Sequence, residues 1–297
     1  MTTALATPSR GLPPLVIACL AATWLVWGST YLAIKIALVS LPPFLQMGSR
    51  FVVAGALLFG WMAWRGAALP SAKQWRNALI VGSLMLGGGM GGTALAEVSV
   101  GSGLVVAFIA VVPLMIALAN RFYGVKPARA ELAGIVVGLG GVLLLTQGAG
   151  FQASPAGLAA ISVACVTWSL GSVLSQRSLP LAPGAMGFAS EMLCGGVVLL
   201  VLAAFTGETL PTQIEPQAIA AWAYLVVAGS LIAFNAYMYL LANASPGLAS
   251  SYTFVNPVIA MLLGVALAGE RITLAEWLAA GVILAGVVLL LRAKQRV

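Results

Sequence analysis

The residues able to do chemistry in this chain are few. All seven acidic residues are glutamates, and histidine and aspartate are absent from the 297 residues. Ser-His nucleophilic catalysis, a His-Glu-x-x-His zinc site and paired-aspartate chemistry therefore lack their reagents. The three cysteines, Cys19, Cys165 and Cys194, fall in apolar stretches and are predicted to be small packing residues. The inventory predicts no catalytic residue, no metal site and no cofactor, and it argues against an enzyme.

Amide and phenol side chains face a glycine run in one pair of related segments. Asn235 and Tyr239 are four residues apart, so they are predicted to share one face of a helix. The two halves of the chain resemble each other, and when they are aligned at a separation of 147 residues, Asn235 and Tyr239 match Gly88 and Gly92. The missing side chains of the glycines leave volume. The mismatch predicts a cavity for a small molecule, with backbone at the two glycines as its floor. The alternative is close helix packing through the glycines.

A second amide and phenol pair has the same spacing. Tyr252 and Asn256 are four residues apart, next to Pro257, and are predicted to contribute polar contacts to the same cavity. Trp27 and Trp168 are predicted as its aromatic walls. Each tryptophan could equally be a lipid-facing or packing residue.

Composition identifies the element type that must position these residues. Only 7% of the residues are charged and 61% are hydrophobic, whereas a soluble domain averages roughly 25% charged. One membrane crossing needs about 20 apolar residues, and the charge-free runs are that long or longer. We therefore predict an all-α integral membrane fold with ten transmembrane helices, at 13–38, 43–64, 74–96, 101–121, 130–147, 155–177, 184–205, 217–242, 247–268 and 274–292.

Helix starts are marked by capping residues. Ser154-Pro155 and Ser245-Pro246 are typical of an N-cap followed by a first-turn proline. Capping boxes are predicted at Ser71 with Gln74 and at Thr273 with Glu276.

Charges inside the predicted helices are costly and therefore informative. A charge at the bilayer centre costs about 2.5–3.5 kcal/mol on insertion scales. Arg50 and Glu191 are each expected either to be satisfied by neighbouring groups or to lie on a transport path. If transport is proton-coupled, Glu191 is the expected proton carrier, ahead of Glu97 and Glu270. A facilitated carrier, which the sequence favours, needs no titrating residue.

The second half of the chain repeats the first. Trp27-Gly28-Ser29 returns as Trp168-Ser169-Leu170, and Gly82-Ser83 returns as Gly229-Ser230. The predicted repeats are residues 1–147 and 148–297, with five helices each. Because five is odd, the second repeat must enter the bilayer from the opposite face. Inverted repeats around a midplane site are typical of alternating-access transporters.

Basic residues set the predicted orientation. With the N-terminus inside, the outer side holds only Arg271, and the positive-inside rule then places both termini in the cytoplasm. The residues on the inner side are Arg10, Arg65, Lys73, Arg76, Arg121, Lys126, Arg129, Arg177, Arg292, Lys294 and Arg296. The net charge of +7 is thus an orientation signal, with some attraction to anionic lipid, and a nucleic-acid partner is not predicted.

Several motifs together carry a family resemblance. They are the duplicated five-helix unit, Trp27-Gly28-Ser29-Thr30, the early Arg50, Asn256-Pro257, and the joint from Ala268 to Thr273. With these the chain resembles the drug/metabolite transporter superfamily, and in it the ten-helix EamA-type exporters, whose YddG-type members export amino acids. One departure is that Tyr123-Gly124-Val125-Lys126 replaces Ala268-Gly269-Glu270-Arg271 in the first repeat, so a role for Glu270 need not extend to both halves.

The resemblance implies an inner-membrane exporter of small metabolites, with amino acids, aromatic and other neutral ones included, as the expected substrates. A zwitterion suits a site with amides and few fixed charges, whereas an organic phosphate calls for clustered Lys or Arg. Export of cationic drugs, with Glu191 as counter-charge, or of other small metabolites is the alternative, and a membrane scaffold or receptor is the non-transport alternative. The expected partners are a small-molecule substrate and the lipid bilayer. A monomer is favoured over a dimer, because Gly134 and Gly138 are predicted to pack internally.

Overall fold

The computed structural model describes residues 12–100, 105, 108–146, 154–268 and 273–292, and every secondary-structure element in that part of the chain is a helix. The helices are α1 Pro14–Ala37, α2 Pro43–Trp64, α3 Ala72–Glu97, α4 Val112–Arg121, α5 Arg129–Thr146, α6 Pro155–Arg177, α7 Ala185–Phe205, α8 Pro216–Asn243, α9 Tyr252–Ala268 and α10 Leu274–Arg292. Seven of these helices are long and apolar enough to cross a membrane, namely α1, α2, α3, α6, α7, α8 and α10.

Some sequence predictions fall outside the described residues. These are Arg10, Glu270, Arg271, Lys294, Arg296, the boundary between residues 147 and 148, and most of the first half of the predicted fourth helix. Within the described part, the predicted helix at 247–268 is divided into a single turn, Pro246–Ala249, followed by α9.

Helix starts follow the predicted caps. Ser154 Oγ accepts a hydrogen bond from Gly157 N at 3.0 Å, and Ser245 Oγ accepts one from Leu248 N at 3.3 Å. Both predicted capping boxes are formed, at Ser71 with Gln74 and at Thr273 with Glu276. A proline occupies the first turn of α1, α2, α6 and α8, where its missing N–H has no partner to lose.

Two helices end identically in the two repeats. Gly66 follows the C-cap of α2 with φ 79°, and Gly207 follows the C-cap of α7 with φ 72°. Left-handed backbone is accessible to glycine without a Cβ penalty, and it stops the helix there. The two glycines are related by the same shift of 141 residues that relates Trp27 to Trp168.

Helix pairing shows the two-fold relation between the repeats. Helix α2 packs on α7, and α5 packs on α10, so each of these pairs joins repeat mates. Helix α1 packs on α8 and α9, just as α6 packs on α3 and α4. Glycines allow the close approach: a Cβ on Gly55 would lie 2.9 Å from Leu193 N, and one on its mate Gly196 would lie 2.8 Å from Val52 N.

The pair α5 and α10 uses the predicted small-residue face. A Cβ on Gly134 would lie 2.9 Å from Gly286 O, and one on Gly286 would lie 2.6 Å from Gly138 N. The Gly134 and Gly138 face is therefore occupied inside the bundle, as predicted.

Hydrogen bonds between connecting segments define the two ends of the bundle. At one end Asn77 Nδ2 donates to Pro180 O at 2.9 Å, Arg177 Nε donates to Asn120 Oδ1 at 3.1 Å and Gly247 N donates to Glu131 Oε1 at 2.7 Å. We call this the basic end, because Lys73, Arg76, Arg121, Arg129 and Arg177 lie there.

At the opposite end Leu45 N donates to Glu208 Oε2 at 2.8 Å, and Ser99 and Ser154 share a hydrogen bond of 2.8 Å. Helix α6 thus starts at the end opposite to the start of α3. The ten helices form two inverted five-helix repeats.

Candidate functional site

Two cavities lie between helices of the first repeat and helices of the second. The central pocket has a volume of about 50 Å³ and is lined from α1, α3, α4, α6 and α9. The basic-end cavity has a volume of about 1050 Å³ and is lined from α1, α6, α7 and α8. Its rim carries Arg177, Pro180 and Asn243, which are exposed, so this cavity opens at the basic end.

Four aromatic side chains pack against one another at the central pocket. We use "aromatic layer" for Trp27, Trp168, Tyr237 and Tyr252. The centroid of the Trp27 ring lies 4.6 Å from that of Tyr252 and 5.7 Å from that of Trp168. The centroids of the Tyr237 and Trp168 rings are 5.3 Å apart. Three members line the central pocket, while Ala236 and Met238 on either side of Tyr237 line the basic-end cavity.

Hydrogen bonds hold the aromatic layer in place. Trp168 Nε1 donates to Tyr237 OH at 3.2 Å, and Tyr237 OH shares a hydrogen bond of 2.9 Å with Ser172 Oγ. Trp27 Nε1 donates to Gly229 O at 3.2 Å. The polar atoms of Trp27, Trp168 and Tyr237 are therefore paired to the protein, and the apolar faces of the two tryptophans remain for the pocket.

Asn256 is a buried amide of the central pocket, and the Tyr31 side chain interacts with it. Its side chain is 1% exposed, and neither Nδ2 nor Oδ1 makes a hydrogen bond of good geometry to the described residues. A buried polar group without a partner costs about 1–3 kcal/mol. An amide oriented in this way is able to donate to and accept from a molecule in the pocket.

Four of the predicted site residues lie together and two lie elsewhere. Trp27, Trp168, Tyr252 and Asn256 all line the central pocket. Asn235 and Tyr239 line the basic-end cavity instead.

Asn235 is partly committed to its own helix. Its Nδ2 donates to Leu231 O at 2.9 Å, whereas Oδ1 has no hydrogen-bond partner among the described residues. The predicted i, i+4 pair with Tyr239 is thus in the basic-end cavity, whereas Asn256 lines the central pocket.

The predicted glycine floor is not the one in the structure. A Cβ on Gly88 would lie 2.6 Å from Thr167 Oγ1, and one on Gly92 would lie 3.0 Å from Ala160 O, so both glycines pack against α6. Gly89 lines the central pocket instead. The physical reason is the close packing of α3 on α6, which fills the volume that the two glycines leave.

Arg50 is buried and satisfied by neighbouring groups. Its side chain is 1% exposed, its Nε donates to Ser230 Oγ at 2.8 Å, and its guanidinium carbon lies 4.6 Å from the centroid of the Phe51 ring. It lines neither cavity. These contacts favour the structural interpretation of Arg50 over a place on a transport path.

Glu191 is buried without such contacts. Its side chain is 0% exposed, and neither carboxyl oxygen has a hydrogen-bond partner among the described residues. It too lines neither cavity, so its predicted role as a pathway charge stays a prediction.

Sequence reasoning missed Tyr237 and Tyr31. Tyr237 joins the aromatic layer and Tyr31 lines the central pocket. The available signal for Tyr31 was its position four residues after Trp27, which places both on one face of α1.

Comparison with known proteins identifies the class. The EamA-like transporter family matches residues 14–147 and 155–292, and the chain belongs to that family. It is a membrane transporter of the drug/metabolite transporter superfamily and not an enzyme, as predicted.

Relatives carry transporter names. The chain is 42% identical over 281 residues to YedA of Escherichia coli K12, named an uncharacterized inner membrane transporter, with 94% of this chain and 91% of the relative covered. It is 28% identical over 242 residues to the protein PecM of Dickeya dadantii, with 80% of each chain covered. A solved crystal structure matches with a TM-score of 0.75 at 22% identity, covering 93% of this chain and 95% of the other, which supports the fold alone.

Proposed function

We propose that this transporter exports amino acids, aromatic and other neutral ones included, across a bacterial inner membrane by alternating access. The observation that carries the proposal is the unpaired amide of Asn256 in a pocket walled by aromatic rings. An amide offers a donor and an acceptor, which complement the carboxylate and the ammonium of a zwitterion. The rings suit an apolar side chain.

The volumes of the two cavities support alternating access. A water molecule occupies about 30 Å³ of liquid, so a central pocket of about 50 Å³ has no room for an amino acid. The basic-end cavity, at about 1050 Å³, is ample. Substrate binding between Trp27 and Asn256 therefore requires the central pocket to widen, and the large cavity lined by the described residues opens at the basic end.

The charge distribution supports the direction. The positive-inside rule puts the basic end in the cytoplasm. Leu15 lines the basic-end cavity and Leu290 packs on Gly134 near the start of α5, so α1 starts and α10 ends at that face. Both termini are then cytoplasmic, and the open cavity receives its substrate from the cytoplasm.

The test is uptake into proteoliposomes of purified protein, measured for leucine, phenylalanine, a lipophilic dye cation and a sugar phosphate. We expect saturable flux of the two amino acids. Asn256→Ala should raise the KM for them about 10-fold, because a hydrogen bond to a charged group is lost. Gln213→Ala, which removes an exposed amide in the loop before α8, is the matched control and should leave KM unchanged. Flux of the cation without flux of either amino acid would refute amino-acid export.

A further inference from the structure

A carboxyl group without a partner lies one helical turn beyond the central pocket. Glu97 is the last residue of α3, four residues after Thr93, which lines the pocket, so the two share one helix face. Both carboxyl oxygens of Glu97 are buried, and neither has a hydrogen-bond partner among the described residues. A buried carboxylate is costly unless it is paired, and the described residues supply no hydrogen bond to this one.

Helix α1 brings the remaining groups to the same corner. Tyr31 lines the central pocket, and Lys35 follows one turn later. Glu97 interacts electrostatically with both side chains. The Lys35 side chain is exposed and donates no hydrogen bond to Glu97, so Lys35 does not satisfy the carboxylate.

The walls of the pocket suit a cation on one side and an apolar group on the other. Trp27, Tyr31, Trp168 and Tyr252 present aromatic rings, whose faces attract ammonium groups. The pocket lining itself contains no charged residue among those described, and Arg50 and Glu191 lie outside it. Glu97 is therefore placed to supply a carboxylate at this corner of the site when a cation binds beside it.

We propose that Glu97 determines specificity by binding the ammonium group of the substrate, with the aromatic rings around it. The site then takes metabolites in which a free primary amine is joined to an apolar body, and it rejects the same molecules when the amine is acylated. This inference rests on the proposed export function and names the part of the substrate that the site reads. Asn256, on α9, is left for the carboxylate or another polar end.

The experiment compares two matched pairs of compounds, phenylalanine with N-acetylphenylalanine and phenethylamine with N-acetylphenethylamine. Proteoliposomes carry wild type, Glu97→Gln, Glu97→Asp or Glu215→Gln, the last removing an exposed carboxylate next to the start of α8. We expect Glu97→Gln to raise the KM for phenylalanine about 10- to 100-fold, since a charge-assisted hydrogen bond is lost. Glu97→Asp should retain part of the affinity, and Glu215→Gln should behave as wild type.

Binding to the wild-type protein decides the matter independently of any variant's folding. Phenethylamine should raise the thermal unfolding midpoint of the detergent-solubilised transporter, and N-acetylphenethylamine should not. Equal stabilisation by both compounds, or a wild-type KM for phenylalanine in Glu97→Gln, would overturn the role of Glu97. Absence of wild-type flux for every amino acid would instead contradict the proposed export function.

Discussion

Three acidic or amide side chains that the protein leaves unpaired set the chemistry at the residue scale. Asn256 lies in the central pocket and Glu97 lies at its corner. Glu191 is buried on α7, outside both cavities. Burial without partners is costly at each position. The positions therefore differ in function, because only the first two are within reach of a molecule in the pocket.

The position of Glu191 leads to a prediction about energy coupling. Because Glu191 lines neither cavity, it has no described route to a solvent-filled space in this conformation. We expect flux driven by a substrate gradient to be indifferent to an imposed pH gradient, in wild type and in Glu191→Gln alike. The measurement is proteoliposome uptake with the internal and external pH set independently.

An alternative result would be equally clear. Flux that responds to the pH gradient in wild type and loses that response in Glu191→Gln would make the transporter proton-coupled through this residue. A conformation that exposes Glu191 would then have to occur in the cycle.

At the scale of elements, the two long helices α3 and α8 depart from α-helical geometry. Each contains a π-helical segment, Ser83–Met90 in α3 and Leu225–Phe234 in α8. These segments border the two cavities: Gly89 and Met90 line the central pocket, and Ile232 lines the basic-end cavity. Such wide turns are frequent at functional sites.

The packing of α3 on α6 predicts the effect of filling a glycine. Gly88→Leu should lower stability by about 1–3 kcal/mol, because the new side chain overlaps Thr167. Gly60→Leu is the control, since a Cβ there meets no atom within 4 Å. The measurement is the thermal midpoint and monodispersity of each variant in detergent. If Gly88→Leu had wild-type stability but no flux, the packing interpretation would be wrong and Gly88 would face the substrate.

Element positions were largely predictable, and side-chain directions only in part. Hydrophobic runs and caps such as Ser154 and Thr273 set helix starts, so predicted and observed bounds of α1 agree within one residue. Tyr252 and Asn256 line one pocket, as their spacing predicts, because α9 is helical from Tyr252. The side on which Gly88 packs was not predictable, because a missing side chain either leaves volume or allows close helix packing. Contacts between distant residues, such as Trp168 with Tyr237, depend on tertiary packing.

At the scale of the whole molecule, the charged ends predict the topology. Arg65 follows α2 and Arg121 is the last residue of α4, both at the basic end, whereas Glu208 binds the start of α2 at the opposite end. Reporter fusions after Arg65 and Arg121 should report the cytoplasm, and a fusion after Glu208 should report the periplasmic side. Paired phosphatase and fluorescent reporters measure this, because each is active on one side only. A cytoplasmic signal after Glu208 would contradict the proposed orientation.

The contact between Trp27 and Trp168 locates the pseudo-two-fold axis. These tryptophans are repeat mates, and a residue touches its own mate only close to the axis that relates them. The central pocket therefore straddles the axis, and it also contains Val112 and Asn256, which precede the matched prolines Pro113 and Pro257, 144 residues apart. In that pair one wall is a hydrocarbon and the other an amide. A pseudo-symmetric scaffold thus carries an asymmetric site. A bound molecule meets an apolar wall on one side and a polar wall on the other, a difference that the duplication alone would not create.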